Sequence, residues 1–278
     1  MSDLVVASQA EQNRLAELAG FSTGGSEQQS DARLPILKIN YDDEDDDGND
    51  LKKGLLTVTG QEVSVYCNEV TVRPLTQFFQ WLDYSPEAND GKGGTVNKTL
   101  LISDFRQEAR DEKGTVRCGK PTSKYLKENP DQKDLYKSIT CFRYVHCLVS
   151  GKGKTATGEA SEFENIPALL RMKGSSFNVF EDQFTKVMPR GSKPWDYTAT
   201  LSTEKHKMGS VVYFTYKFEP DFKNKLPLDT DTIDTIEYIL ETVSKENGLI
   251  ERKYKEALSN SQDGEWLEAD LVDDAELA

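Results

Sequence analysis

Residues 140–150 read TCFRYVHCLVS, and this stretch decides the class of fold. Aromatic side chains occupy one set of alternate positions: Phe142, Tyr144 and His146. The other set is small and apolar apart from Arg143: Cys141, Val145 and Cys147. A period of two residues is typical of a β-strand with two different faces. We assign the small apolar face to the core and the aromatic face to the outside.

A second stretch at residues 210–219 alternates in the same way. Tyr213, Thr215 and Lys217 lie on one side, and the opposite side looks like core: Val212, Phe214, Tyr216 and Phe218. Further runs have strand composition: residues 34–40, 55–59, 62–67, 69–73, 77–84, 98–103 and 197–201. The pattern predicts a mainly β fold, a mostly antiparallel barrel or sandwich with long loops.

Helices are indicated in two places. The long polar connection at residues 104–139 is predicted to hold one helix near residues 124–137. A stronger helical spacing of apolar residues begins after Asp229 or Asp231, either of which can cap it, and is predicted to end at Asn247-Gly248. A further helix is predicted at residues 249–258, so that C-terminal helices close the β-structure.

Charge is unevenly distributed along the 278 residues, whose formal net charge is −14. Residues 41–50 and residues 261–278 each hold seven acids and no Lys or Arg. Residues 92–154 carry fourteen Lys and Arg against seven Asp and Glu, and residues 171–225 carry ten against six. The acidic total therefore does not argue against a polyanionic partner, because the charge is segregated: the rest of the chain is neutral overall and contains these two basic segments.

We divide the chain into four parts. They are a flexible N-terminal arm at residues 1–33, a β-rich body at 34–228, C-terminal helices at 229–260 and a disordered acidic tail at 261–278. The arm is rich in Gly, Ser and Gln, and the tail in carboxylates. Such compositions bury too little apolar surface to order themselves.

Composition also excludes several classes of protein. No run approaches the roughly 20 apolar residues of a membrane helix, and the N-terminus lacks the features of a signal peptide, so we expect a cytoplasmic protein without membrane contact. Four irregularly spaced cysteines favour free thiols in a reducing compartment. Only two histidines are present, so the chain has few candidates for a histidine that acts as a general acid or base. We expect no enzyme and no cofactor.

Two groups of side chains are considered as metal ligands. One set has the residue types that bind zinc: Cys118, Cys141, His146 and Cys147. It contains no CxxC or HxxxH pair, so we interpret the thiols as buried core residues. The acidic run at residues 42–47 is interpreted as a solvated loop. We therefore predict no metal site.

Proteins that hold single nucleic-acid strands combine cations along the backbone path with aromatic faces for the bases. The predicted aromatic contacts are Phe142, Tyr144, Tyr213 and Trp195, the last because it follows Pro194 near basic residues. The predicted cationic contacts are Arg106, Arg110, Arg117, Lys120, Lys124, Arg143, Lys152, Lys154 and Lys217. The sequence thus favours single-stranded DNA as the partner.

The organisation of the chain resembles the single-stranded DNA-binding proteins of tailed bacteriophages. The resemblance rests on the β-rich run at residues 34–219 with its basic segments and with Arg117-Cys118-Gly119-Lys120 in its long loop, followed by acids interleaved with apolar residues from Glu265 to Leu277. It implies an OB-fold body that binds single-stranded DNA without sequence specificity in DNA replication, recombination and repair. It also implies a tail that recruits partner proteins and competes with DNA, through Trp266, Leu267, Asp270, Asp273, Asp274 and Glu276.

Two other classes stay open at this point. A β-sandwich with long loops and a mobile arm also suits a structural or assembly protein of a virion. An acidic loop could also serve a metal-dependent nuclease, although no paired carboxylates with a basic partner are evident. A homo-oligomer is compatible with each of these interpretations.

Overall fold

The computed structural model describes residues 34–45, 47–59 and 63–260. Its strands are β1 (Ile36–Ile39), β2 (Leu56–Thr59), β3 (Val65–Cys67), β4 (Glu69–Ser85), β5 (Gly94–Lys98), β6 (Ile139–Lys154), β7 (Ala160–Met172), β8 (Thr198–Met208) and β9 (Val211–Asp221). Its α-helices are α1 (Ser123–Glu128) and α2 (Thr230–Asn260). The prediction of a mainly β fold is confirmed.

The nine strands form one sheet in the order β3-β2-β1-β7-β6-β4-β8-β9, with β5 beside β4. The sheet is mixed, because β1 runs parallel to β7 while the other strand pairs are antiparallel. The predominance of antiparallel pairs agrees with the prediction, whereas the predicted OB-like barrel is wrong, because the sheet does not form a barrel. β3 meets β6 at a single residue pair, Tyr66 with Lys154, and β8 and β9 extend the sheet past β4 instead of closing it.

β6 is the central strand, paired with β4 on one side and β7 on the other. Its inward face supplies Val145, Cys147 and Val149 to the main hydrophobic core, which confirms the predicted core face. The aromatic rings of Phe180 and Phe184 stack at 5.2 Å in the same core. The strand's two faces thus follow from its period-two sequence.

Gly153 lies where β6 passes β3. A Cβ atom at this position would overlap the carbonyl oxygen of Tyr66 and the Sγ of Cys67. The alternation therefore points Gly151 and Gly153 inward and Lys152 and Lys154 outward.

We expect Gly153→Ala to lower the free energy of unfolding by about 1–3 kcal/mol, as overpacking substitutions do. A urea titration measures this. Gly248→Ala in α2 is the matched control, because its added methyl group meets no atom within 4 Å and should raise helix stability. An unchanged unfolding midpoint for Gly153→Ala would contradict the close approach of β6 to β3.

α2 is one continuous helix of 31 residues. The predicted cap is confirmed, since the Thr232 amide donates to Asp229 Oδ1 at 2.8 Å. The predicted end at Asn247-Gly248 and the separate helix at residues 249–258 are wrong. Asn247 docks the helix instead, because its side chain bonds the backbone N–H and C=O of Leu101 at 2.7 and 2.9 Å.

The predicted helix near residues 124–137 is only partly formed. α1 ends at Glu128, and a 3-10 helix follows at Pro130–Tyr136. Pro130 explains the break, because proline disfavours the helical conformation of the residue before it. The predicted arm at residues 1–33 and tail at residues 261–278 lie outside the described residues.

Candidate nucleic-acid interface

The outer face of β6 is covered over its middle by α2. Phe142, Tyr144 and His146 share this face as predicted, but Tyr144 packs with Ile239 and Val243 of α2 in one hydrophobic cluster. Tyr144 and His146 are each 7% exposed, whereas Phe142 is half-buried. The prediction of Tyr144 as an open stacking platform is therefore wrong, because α2 covers it.

Two cations at the end of β7 lie over these rings. The Cζ of Arg171, which pairs across the strands with Tyr144, lies 5.0 Å from the ring centroid of Phe142 and 5.5 Å from that of Tyr144. The Nζ of Lys173 lies 5.3 Å from the Phe142 centroid. Both distances are within the range of cation–π attraction.

Lys38 adds a third cation to the same face. β1 runs parallel to β7 with Leu37 beside Leu170, and because both of these residues face the core, Lys38 and Arg171, the next residue of each strand, point to the outer face. Lys38 is exposed. We use the name β7 basic cluster for Lys38, Phe142, Tyr144, Arg171 and Lys173.

The three cations of the β7 basic cluster form no ion pair within the described part of the chain. The Nε of Arg171 is also buried without a hydrogen-bond partner there. A partly buried cation without a counter-charge is unfavourable, and a carboxylate or phosphate would supply charge-assisted hydrogen bonds. The cluster is therefore suited to bind an anion beside an aromatic surface.

A second basic surface is an open groove of about 630 Å³ at the end of β6. Its walls come from the loop before β2, the end of β3 and the turn between β6 and β7. The lining residues include Asp50, Lys52, Tyr66, Asn68, Lys152 and Lys154. The predicted contacts Lys152 and Lys154 therefore face a cavity. β6 continues through Lys154, and the turn follows at residues 155–159.

The lysines of this groove differ in their pairing. Lys152 Nζ lies 2.9 Å from Glu162 Oε1, across the strand pair β6–β7. Lys52 and Lys154 are exposed and form no ion pair among the described residues. Lys52 and Lys154 therefore carry the positive charge of the groove.

The β8–β9 hairpin holds two more of the predicted contacts, Tyr213 and Lys217. Tyr213 stacks on His206 with ring centroids 5.1 Å apart, and Lys217 Nζ lies 2.6 Å from Glu219. His206 is itself 3.9 Å from Glu204. Lys217 is thus matched by a carboxylate, which weakens its attraction for phosphate.

Two cations of the long loop contact acceptor groups of the protein itself: Arg110 and Lys120. Arg110 contacts Glu108 and Glu251 at 3.4 and 3.1 Å. Lys120 Nζ donates to the backbone oxygens of Tyr136 and Ile139, and burial lowers the pKa of Lys120. Lys120 is therefore a structural residue, which corrects its predicted role.

The other three loop cations are less constrained. Arg106 lies 3.7 Å from Asp104 and remains highly exposed. Arg117 and Lys124 form no ion pair among the described residues. Within the same part of the chain, neither of them contacts a residue of the β7 basic cluster. Their predicted role in DNA binding stays a prediction.

Arg143 is buried and cannot contact DNA. Its side chain is 2% exposed, bonds Gln77 Oε1 at 2.6 Å and Glu181 Oε2 at 3.2 Å, and lies over the rings of Phe79 and Phe177. The prediction of Arg143 as a DNA contact is wrong, because its position on the inward face of β6 turns it toward these partners.

Trp195 is half-buried, as Phe142 is, and is not the openly exposed residue that the sequence predicted. Its side chain is half-buried against the cluster beneath α2, and its backbone oxygen accepts a hydrogen bond from Arg73 Nε at 2.8 Å. Arg73 also bonds Pro227 O and Thr232. Trp195 therefore helps to anchor the start of α2.

The thiols and histidine considered for zinc do not converge. Within the described ranges, no group of three or more His, Cys, Asp or Glu side chains could hold a metal ion. Cys147 faces the main core, and His146 faces the other side of β6, with Nδ1 2.9 Å from Thr76 Oγ1. Burial raises the pKa values of the Cys118, Cys141 and Cys147 thiols to about 12 and lowers that of His146 to about 4.

Sequence reasoning missed Lys38, Lys52, Arg171 and Lys173. The main reason is that residues 160–172, which form β7, are not among the strands predicted from the sequence; this strand contains Pro167, a residue type that is rare inside sheets. Here β1 pairs with β7 only beside Leu169 and Leu170, so Pro167 needs no donor on that side. The run Leu169-Leu170-Arg171-Met172-Lys173, with two cations at alternate positions, was the available signal.

The predicted tail contacts lie outside the described residues: Trp266, Leu267, Asp270, Asp273, Asp274 and Glu276. In the part of the chain that the structure does describe, no helix has both the length and the apolar character needed to cross a membrane. Comparison with family models, curated proteins and solved structures finds no match to this chain.

Proposed function

We propose that this protein binds single-stranded DNA without sequence specificity and that the β7 basic cluster is its main contact. The observation that carries the proposal is the position of Arg171 and Lys173 over the half-buried ring of Phe142, with Lys38 exposed on the neighbouring strand β1 and no ion pair to any of the three cations among the described residues. The proposal is for a binding protein and not for an enzyme.

The chemistry of the cluster favours a single strand over a duplex. Unpaired bases can stack on aromatic rings or on an Arg guanidinium plane, and both surfaces are adjacent here in Phe142 and Arg171. The bases of a duplex are already stacked and cannot reach such a surface. Lys38 and Lys173 would neutralise the phosphates on either side.

The biological setting belongs to the same proposal and is supported by the resemblance in organisation to phage proteins. We propose a role in phage DNA replication or recombination, in the cytoplasm of the host cell. The acidic tail would recruit a replication or recombination protein. Self-association along DNA is part of this setting, as in other proteins that coat single strands.

Fluorescence anisotropy with labelled single-stranded and duplex oligonucleotides tests the proposal. We expect tighter binding to the single strand, with a slope of log affinity against log salt near −2.1, because three cations each contribute about −0.7. Equal affinity for duplex and single strand, or no binding, would contradict the proposal. A virion structural role would then be favoured.

Deletion of residues 261–278 should tighten single-stranded DNA binding at low salt. Seven carboxylates tethered to the end of α2 compete with phosphate at high effective concentration. The gain should vanish at high salt, since exposed charges are screened beyond about 10 Å at 0.1 M. Anisotropy titrations of full-length and truncated protein at two salt concentrations measure this. Equal affinities at low salt would show that the tail does not compete.

A further inference from the structure

A row of side chains connects the β7 basic cluster with the groove at the end of β6. Cross-strand pairing places Lys38 of β1 beside Thr57 of β2, Thr57 beside Tyr66 of β3, and Tyr66 beside Lys154 of β6. Directly paired residues point to the same side of a sheet. The row therefore runs across the strands on the outer face.

The dimensions of the row suit a flexible chain that crosses the sheet. Neighbouring strands are about 4.8 Å apart, so Lys38 and Lys154 are separated by three steps, or roughly 14 Å along the sheet surface. Arg171 adds one more step beyond Lys38. Cations thus lie at both ends of the row, with an aromatic side chain, Tyr66, beside Lys154.

The middle of the row carries polar groups and no acid. Thr57 is buried, and its Oγ1 has no hydrogen-bond partner within the described part of the chain. Because Thr57 is closed off from the surface, a strand on the outer face passes over it without contacting its hydroxyl. None of the four residues of the row is acidic, whereas Asp50 lies in the lining of the groove beside Lys52 and Lys154.

We propose that the groove is a second backbone-binding site for the same DNA strand. The strand leaves the β7 basic cluster at Lys38, crosses β2 and β3, and places a phosphate between Lys52 and Lys154. This inference rests on the proposed function. Beyond that function, it states that the DNA strand runs across the β-strands and that Lys52 and Lys154 provide two further phosphate contacts.

Salt dependence measured on oligothymidylates of increasing length tests the inference. The series covers about 4 to about 16 nucleotides, the usual range of site sizes. The slope should steepen from about −2.1 on the shortest strands to about −3.5 on the longest, as five cations replace three. The variant Lys52→Gln/Lys154→Gln should keep a slope near −2.1 at every length and bind long strands about 25-fold more weakly at 0.1 M salt.

The matched control is Lys205→Gln/Lys207→Gln, which removes two exposed lysines from the β8–β9 hairpin without touching the row. It should behave as the wild type at every length. A wild-type slope that is the same at all lengths, with no effect of Lys52→Gln/Lys154→Gln, would overturn the second site while the proposed function stands. An equal loss in the control variant would also overturn it. Absence of binding by the wild type at any length would instead defeat the proposed function.

Discussion

Arg171→Gln/Lys173→Gln should bind single-stranded DNA about 25-fold more weakly than the wild type at 0.1 M salt. Each cation that neutralises a phosphate contributes about 0.7 to the salt slope, which is roughly fivefold in affinity at that concentration. The slope itself should become shallower by about 1.4. Anisotropy titrations at several salt concentrations give both quantities.

The structure explains why these two side chains should matter more than other lysines and arginines. Both lie over Phe142 and have no carboxylate partner among the described residues, whereas Lys152 and Lys217 each contact a glutamate. The double variant Lys205→Gln/Lys207→Gln again provides a control of equal charge. If both variants weakened binding equally, net charge and not the β7 basic cluster would explain the attraction.

Arg143→Ala should lower the free energy of unfolding by about 1.5–3 kcal/mol, the cost of lost hydrogen bonds to charged groups. The substitution removes the buried guanidinium from between Phe79 and Phe177, together with its hydrogen bonds to Gln77 and to Glu181, whose side chain is partly exposed. A urea titration followed by circular dichroism measures the change. Arg106→Ala, at a highly exposed position, is the control and should leave the unfolding midpoint nearly unchanged.

The stability of Arg143→Ala distinguishes a DNA-binding Arg143, which the sequence suggested, from the buried Arg143 of the structure. A variant that unfolds much earlier supports the buried position. A variant with normal stability and weakened DNA binding would show that Arg143 reaches DNA after all.

The period-two pattern predicted the two faces of β6 correctly. Val145 and Cys147 lie in the core, and Phe142, Tyr144 and His146 share the opposite face. The start of α2 was also predictable, because the capping role of Asp229 depends only on nearby residues. Local chemistry of this kind is fully present in a short segment of sequence.

Whether the outer face of a strand is covered depends on residues that are distant in the sequence. Tyr144 is buried by Ile239 and Val243, nearly a hundred residues later in the chain, and no pattern within 140–150 indicates that. The same holds for Arg143 and Lys120, whose partners Glu181 and Ile139 lie in other elements. Sequence alone therefore showed which residues share a face, but not which faces remain open.

The closure of the sheet was mispredicted for a similar reason. The number of strands and their apolar faces suit a barrel, but closure depends on how many residues of β3 pair with β6. Only Tyr66 and Lys154 do so. The parallel pairing of β1 with β7 likewise involves a strand that the sequence analysis did not predict.

Photo-crosslinking with single strands that contain 5-iodouracil tests the central claim most directly. The halogenated base reacts with aromatic side chains against which it stacks, and mass spectrometry of the digested adduct locates the site. We predict the main adduct in the peptide that contains Phe142, with its yield reduced in Arg171→Gln/Lys173→Gln. Adducts confined to Tyr213 and the β8–β9 hairpin, or none at all despite tight binding, would contradict the assignment of the β7 basic cluster as the DNA site.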